Sequence, residues 1–289
     1  MSATFTETLQ NPFLAAAGAS LLGLVMGSFL NVLVHRLPRM LEQQWRQQCR
    51  ELLHPAAASE PAPARYDLAL PPSHCPHCGH RLAWRENLPL LSYLRQRGRC
   101  RACGQAIGLR YPLLELLAAA CGLLAVVAFG TSLTALAAML LGWGLLALAA
   151  IDAEQQLLPD TLTLPLLWLG LLFNSSGLLV SPAAAIIGAV AGYLFLWLIY
   201  HGFRLFTGKE GLGRGDFKLL ALLGAWLGWQ ALPAIVVLAS LAGASVGLAR
   251  VVLKRQQLHQ AMPFGPFLAL AGWLVLLLRE PLLGFYGLA

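Results

Sequence analysis

Two groups of residues in this sequence are of types, and at spacings, that do chemistry. The first is a pair of aspartates. Gly211-Leu-Gly-Arg-Gly-Asp-Phe-Lys218 sets Asp216 in a glycine-spaced turn between two apolar runs, and Asp152 closes the apolar stretch 133–151. A carboxylate beside a long apolar run is costly to place there, so it marks a functional site by default. Two carboxylates confined to one site do not readily both ionise. The ionised one then takes a proton from water while its protonated partner hydrogen-bonds a scissile carbonyl, which is peptide hydrolysis without a covalent intermediate. Gly213 and Gly215 let the backbone turn and leave room for an extended substrate strand. The second group is Cys75-Pro-His-Cys78-Gly and Cys100-Arg-Ala-Cys103-Gly, separated by residues 79–99. That spacing is close to a zinc ribbon, in which two knuckles supply four thiolates to one Zn2+. The glycine after each pair suits a tight turn that aims backbone N–H groups at sulfur.

The elements that position these residues are membrane spans. Of the 289 residues, 58% are hydrophobic and only 11% charged, with a mean hydropathy of +0.66. Such a chain is an integral membrane protein and not a soluble domain. Apolar runs of span-like length cover 13–34, 112–130, 133–151, 162–179, 183–206, 232–249 and 264–283, and 217–229 is a shorter eighth. They are continuous, not alternating, so they predict an all-α polytopic fold of about eight transmembrane helices. Gly23-xxx-Gly27, Gly188-xxx-Gly192, Gly224-xxx-Gly228 and Gly243-xxx-Gly247 would let helix backbones approach closely. The polar N-terminal ten residues contain no Lys or Arg, which is unlike a cleavable signal peptide.

Charge sets the orientation. The interval 35–110 carries twelve arginines against five acidic residues, so it is expected in the cytoplasm with the N-terminus outside, in the periplasm. The net charge of +7 therefore reads as polybasic loops beside membrane, not as a nucleic-acid surface. Eight crossings keep Arg204, Lys209, Arg214, Lys218, Arg250, Lys254 and Arg255 inside; seven would put the last three outside. In this threading Asp152 ends span three and Asp216 begins span six at the same cytoplasmic face. The expected organisation is a first span (1–34), a cytoplasmic loop with a four-cysteine, zinc-ribbon-like metal site (35–110) and a membrane-embedded hydrolytic core (111–289). Within the loop, 53–72 is rich in Ala and Pro and reads as a linker.

Other polar residues have simpler readings. Asp160 rivals Asp152, but at the start of span four it reads as the helix N-cap. Asp216 itself could cap the helix starting at Phe217. Glu154 and Glu210 read as solvated loop acids, and Lys218 either tunes a carboxylate or binds a lipid headgroup. His74, His77 and His80 are expected beside the thiolates and not among them, and Cys49 and Cys121 as inert. Glu115, just inside span two, either pairs with an arginine or belongs to a second site.

The chain resembles the type IV prepilin peptidases over nearly its whole length. The resemblance rests on Gly27-Ser-Phe-Leu-Asn-Val-Leu-Val-His-Arg-Leu-Pro38, the two Cys-x-x-Cys pairs, Asn87-Leu-Pro-Leu-Leu-Ser92, Arg110-Tyr-Pro-Leu-Leu-Glu115, Ile151-Asp152 with Leu158-Pro159-Asp160, and Gly213-Arg-Gly-Asp216. It implies an inner-membrane aspartic protease that cuts the basic leader from prepilins and pseudopilins, with Asp152 and Asp216 catalytic and Cys75, Cys78, Cys100 and Cys103 as the metal tetrad. It also implies methylation of the new N-terminus with S-adenosylmethionine, for which the sequence offers no glycine-rich cofactor fingerprint. Two other classes compete: a transporter using the aspartates as ion ligands, and a zinc-bearing assembly scaffold. The centres of the spans have little polarity and no repeat is evident, which disfavours the transporter.

Overall fold

In a computed structural model, the structure describes residues 11–53, 66–209, 213–253 and 262–278. Gly211 and Leu212 of the aspartate turn, Glu210, Lys254, Arg255 and residues 54–65 of the expected linker lie outside the described residues. Among those described the chain is helical, with two isolated β-bridges and no named strand. It divides into two compact units, 1–123 and 124–289.

In the first unit, α1 (Pro12–Leu53) is 42 residues long and continues well past the apolar run 13–34. Its polar half is held as helix by i,i+4 contacts: Arg46 Nη2 to Glu42 Oε1 at 2.6 Å and Gln47 Nε2 to Glu51 Oε1 at 2.9 Å. The short α2 (Leu91–Arg95) lies in the polar interval, and α3 (Arg110–Phe129) begins where that interval ends. Gly23 and Gly27 let α1 press against α3. A Cβ on Gly27 would sit 2.5 Å from Glu115 Cα, and one on Gly23 would strike the Ala118 carbonyl. Asn31 Nδ2 ties the same pair by donating to Tyr111 O at 3.1 Å.

The second unit contains α4 (Leu133–Gln155), α5 (Asp160–Ser175), α6 (Pro182–Thr207), α7 (Arg214–Leu227), α8 (Leu232–Val252) and α9 (Gly265–Leu277). Each of the eight apolar runs is therefore helical over most of its described residues. Five helices are long and apolar enough to cross a membrane: α1, α3, α4, α6 and a last one over Trp229–Val252. The remaining three, α5, α7 and α9, are shorter in their described extent. At 14 residues, α7 rises about 21 Å, less than the roughly 30 Å of a hydrocarbon core. It is sheathed by protein instead: α5, α6, α8 and α9 all contact it, and Leu219, Leu220, Leu222, Leu223, Ala225 and Trp226 are fully buried.

Two kinds of contact fix α7. On one side Gly188 of α6 meets Gly224 backbone to backbone, and a Cβ on Gly192 would lie 2.6 Å from Leu220 O. These are two of the close approaches expected from the glycine spacing. On the other, the buried Asn174 at the end of α5 spends its whole amide: Nδ2 donates to Ala225 O and Trp226 O, each at 2.9 Å, and Oδ1 accepts from Leu179 N at 3.0 Å and Val180 N at 3.1 Å. Trp226 Nε1 adds a bond to Leu166 O at 2.8 Å. In an apolar interior each of these groups would be costly left unpaired.

Candidate active site

Asp152 lies in the last turn of α4, and Asp216 in the first turn of α7. Both are buried, at 6% and 5% exposure, and the charge of Asp152 is felt at Asp216. The structure thus brings the two carboxylates of the sequence together inside one unit. Among the described residues no Lys or Arg forms an ion pair with either. Asp152 has a backbone partner: Gly265 N donates to its Oδ2 at 2.9 Å. That donor is the first residue of α9, where N–H groups are unclaimed and the dipole favours an anion. Asp216 lies in the first turn of α7, where the same dipole acts.

The glycines of the turn have separate tasks. Gly213 is the N-cap of α7, and its carbonyl accepts from Asp216 N at 3.2 Å; Asp216 is therefore not itself the N-cap, and no side chain caps this helix. Gly215 packs against Leu158, whose Cβ would stand 2.7 Å from an added methyl. Leu158 belongs to the segment between α4 and α5, so a side chain at Gly215 would push Asp216's helix away from the chain that carries Asp152.

Gly265 was invisible as a site residue in the sequence. Its contribution is a backbone N–H, which every residue but proline owns, and a Cβ there would lie 2.6 Å from Asp152 Oδ2. The available signal was Gly265-Pro266 opening the last apolar run, a helix-start pattern that brings free N–H groups with it.

Asp160 departs from expectation. The N-cap of α5 is Pro159, with no side-chain cap bond, and Asp160 is already in the helix. Its carboxylate instead takes Lys218 Nζ at both oxygens, 2.7 and 2.6 Å. This occupies the lysine that the sequence offered to a carboxylate or a headgroup, and it ties the first turn of α5 to the N-terminal half of α7. Both side chains are partly exposed, 33% for Lys218 and 52% for Asp160, so the pair is a tether of modest energy.

The thiols of Cys75, Cys78, Cys100 and Cys103 converge in the first unit, all four sulfurs within 4.8 Å of one another. Cys75 to Cys103 and Cys78 to Cys100 each measure 4.0 Å. A tetrahedron of Zn–S bonds has S–S edges of about 3.8 Å, so the site can hold a metal ion. The knuckles are near copies: Gly79 N donates to Cys75 O at 2.9 Å and Gly104 N to Cys100 O at 2.8 Å, with both glycines at positive φ, 71° and 70°. Turned this way, the N–H groups of Cys78 and His77 pull the Cys75 thiol down to about 7. The Cys100 thiol is lowered likewise by Cys103 and Ala102. Cys78 moves up, to about 11, because the pull of the His80 N–H is outweighed by desolvation and its hydrogen bonds to the other thiols. His80 stands outside the tetrad, with Nε2 3.2 Å from Glu86 Oε2.

Comparison with known proteins gives a consistent picture. Residues 21–129 match the Bacterial Peptidase A24 N-terminal domain, and residues 139–248 match the Type IV leader peptidase family. The chain is 52% identical over 279 residues to a prepilin leader peptidase/N-methyltransferase of Stutzerimonas stutzeri, covering 96% of this chain and 95% of the relative. It is 53% identical over 257 residues to the protein of that name from Pseudomonas aeruginosa, covering 89% and 88%. The corresponding Burkholderia pseudomallei protein is 53% identical over 265 residues, covering 92% and 86%. No solved structure matches the chain.

Proposed function

The chain belongs to the type IV leader peptidase family, and on that footing we propose that Asp152 and Asp216 are its catalytic carboxylates. The protein is a multi-pass inner-membrane enzyme that cleaves the leader peptide of prepilins and methylates the N-terminus so exposed. The observation that carries the catalytic assignment is the pair itself. Two carboxylates from distant parts of the chain are buried in one unit within electrostatic reach, without a cationic partner among the described residues. Burying such a pair is unfavourable unless the two share a proton, and a shared proton is what peptide hydrolysis requires.

In the cleavage step the ionised carboxylate accepts a proton from water as its oxygen attacks the scissile carbonyl. The protonated carboxyl donates a hydrogen bond to the carbonyl oxygen and then a proton toward the leaving amine. The Gly265 N–H holds the Asp152 carboxylate, so little reorientation is needed there as charge moves. Titration belongs to the pair, not to either aspartate.

The active site faces the cytoplasm and the N-terminus the periplasm. The arginines of 35–110 support this reading, as does the substrate's chemistry: a basic leader stays in the cytosol while the following apolar helix lies in the bilayer. Pseudopilins share that design and are cut by the same pair. Zn2+ held by Cys75, Cys78, Cys100 and Cys103 cross-links the two knuckles, and S-adenosylmethionine supplies the methyl group.

The test is a mass measurement of the product N-terminus after the purified protein is incubated with a prepilin. Asp152→Asn and Asp216→Asn should each slow cleavage at least about 10²-fold with unchanged unfolding temperature. Either variant cleaving at the wild-type rate overturns the assignment and favours the scaffold reading.

A further inference from the structure

The first unit contains a cavity whose lining includes neither Asp152 nor Asp216. It measures about 360 Å³ and is lined wholly by residues between Ser28 and Glu115. That volume falls within the range of about 300–1,000 Å³ that takes one small ligand. Its lining combines both signs of charge with aromatic residues: Glu115, Arg36 and Arg39, and Tyr66 and Tyr111. A headgroup phosphate would call for cations alone. A wall that pairs carboxylate, guanidinium and aromatic surface suits a zwitterion joined to a flat ring.

Two buried acceptors sharpen this. Asn31 is 6% exposed; its Nδ2 donates to Tyr111 O at 3.1 Å, while its Oδ1 is buried with no partner. An orphaned acceptor of this kind in a cavity wall is costly and calls for a donor from a ligand. Glu115 is 9% exposed, and Oε2 accepts from Leu90 N at 2.8 Å. Leu90 itself has φ 55°, which leucine rarely adopts, and Asn87 and Ser92 of the same segment line the cavity. Arg36 is committed to backbone, donating to Asp67 O at 2.9 Å and Pro71 O at 2.6 Å. Arg39 also lines the cavity and is exposed. Cys75 and Cys100 of the thiol cluster form part of the same wall.

We propose that this cavity binds the methyl donor, an adenosyl sulfonium with an amino-acid tail, with Asn31 and Glu115 accepting its N–H and O–H groups and Arg39 meeting its carboxylate. The proposal rests on the methyltransferase reading above. It gives the donor a site whose lining includes neither catalytic carboxylate. In the transfer, the nitrogen lone pair of the substrate's new N-terminus forms the N–CH3 bond, and the C–S bond breaks. Its electron pair leaves with sulfur as a neutral thioether, and the ammonium proton passes to solvent.

The full-length protein in detergent should be photolabelled with 8-azido-S-adenosylmethionine and the adduct mapped by mass spectrometry. Binding of S-adenosylhomocysteine should be measured by calorimetry for wild type, Glu115→Gln and Arg39→Ala. Label in peptides covering 28–39, 66–77 or 105–115, displaced by S-adenosylhomocysteine, together with about tenfold or greater weakening in each variant, supports the assignment. Bound-metal content and unfolding temperature report that the variants are folded; Arg39 is exposed, so its variant folds even if Glu115→Gln does not. Label confined to the second unit, or variants that bind as wild type does, overturns the assignment and leaves the methyltransferase reading intact. A wild-type protein that neither binds the donor nor methylates a cleaved prepilin overturns both.

Discussion

Gly265→Ala tests the site at its least obvious point. A methyl at this position would stand 2.6 Å from Asp152 Oδ2, against the 3.4 Å at which ordinary contact begins, a shortfall of about 0.8 Å. Neither side can yield freely, because Gly265 opens α9 and Asp152 is buried in the last turn of α4. The carboxylate must swing away, which lengthens its 2.9 Å bond from Gly265 N and misaims it toward the water it activates. A displacement approaching 1 Å costs up to about 10²-fold in rate, so a loss of about 10- to 100-fold in kcat/KM is expected, or about 1.4–2.7 kcal/mol of transition-state stabilisation. The assay is the initial rate of leader removal from a prepilin in detergent, read by mass, with unfolding temperature followed in parallel. Methylation of a synthetic peptide that already begins at the mature N-terminus should be unchanged. If Gly265→Ala cleaves within about twofold of wild type, a smaller effect than any misplacement of this size predicts, Asp152 is not held in the way described and the reasoning fails.

Three further outcomes follow. Asp160→Asn removes a partly exposed ion pair with Lys218 and should cost no more than about 1 kcal/mol by chemical unfolding, with cleavage retained; complete loss of cleavage would make Asp160 a rival to Asp152 after all. Asn174→Ala leaves two carbonyls and two N–H groups unpaired and should destabilise the protein by about 2–4 kcal/mol, seen as a lower unfolding temperature; an unchanged temperature would show that the amide is not what joins α5 to α7. Metal retention should fall with acid: the Cys75 thiol, lowered to about 7, is ionised above that pH and protonates below it, so protons compete with the metal. Metal content after dialysis against a chelator should therefore be lower at pH 6 than at pH 8, and equal retention at the two would contradict the thiolate assignment.

Much of the architecture was legible because lipid leaves the backbone few options. Every apolar run had to become a helix, and each is one over most of its described residues. The two aspartates were legible for a related reason, as carboxylates at the ends of such runs are rare enough to stand out. The contacts that complete the site were hidden because they depend on groups common to all residues or on partners remote in the chain. The Gly265 N–H lies 113 residues from the carboxylate it serves, and the Lys218–Asp160 pair spans 58. Asp160 misled because its type and position fit an N-cap, yet the helix begins one residue earlier than that reading requires. The polar half of α1 was read only as part of a charged interval, since i,i+4 pairs such as Glu42–Arg46 give it a helical reason that hydropathy does not register.

The meeting of Gly188 with Gly224 has a mechanical corollary. With no side chain between them, α6 and α7 lie backbone to backbone, with Asp216 in the first turn of α7. A bulky residue at Gly188 or Gly224 would therefore force these two helices apart and carry Asp216 out of line with Asp152, which Gly265 holds at the start of α9.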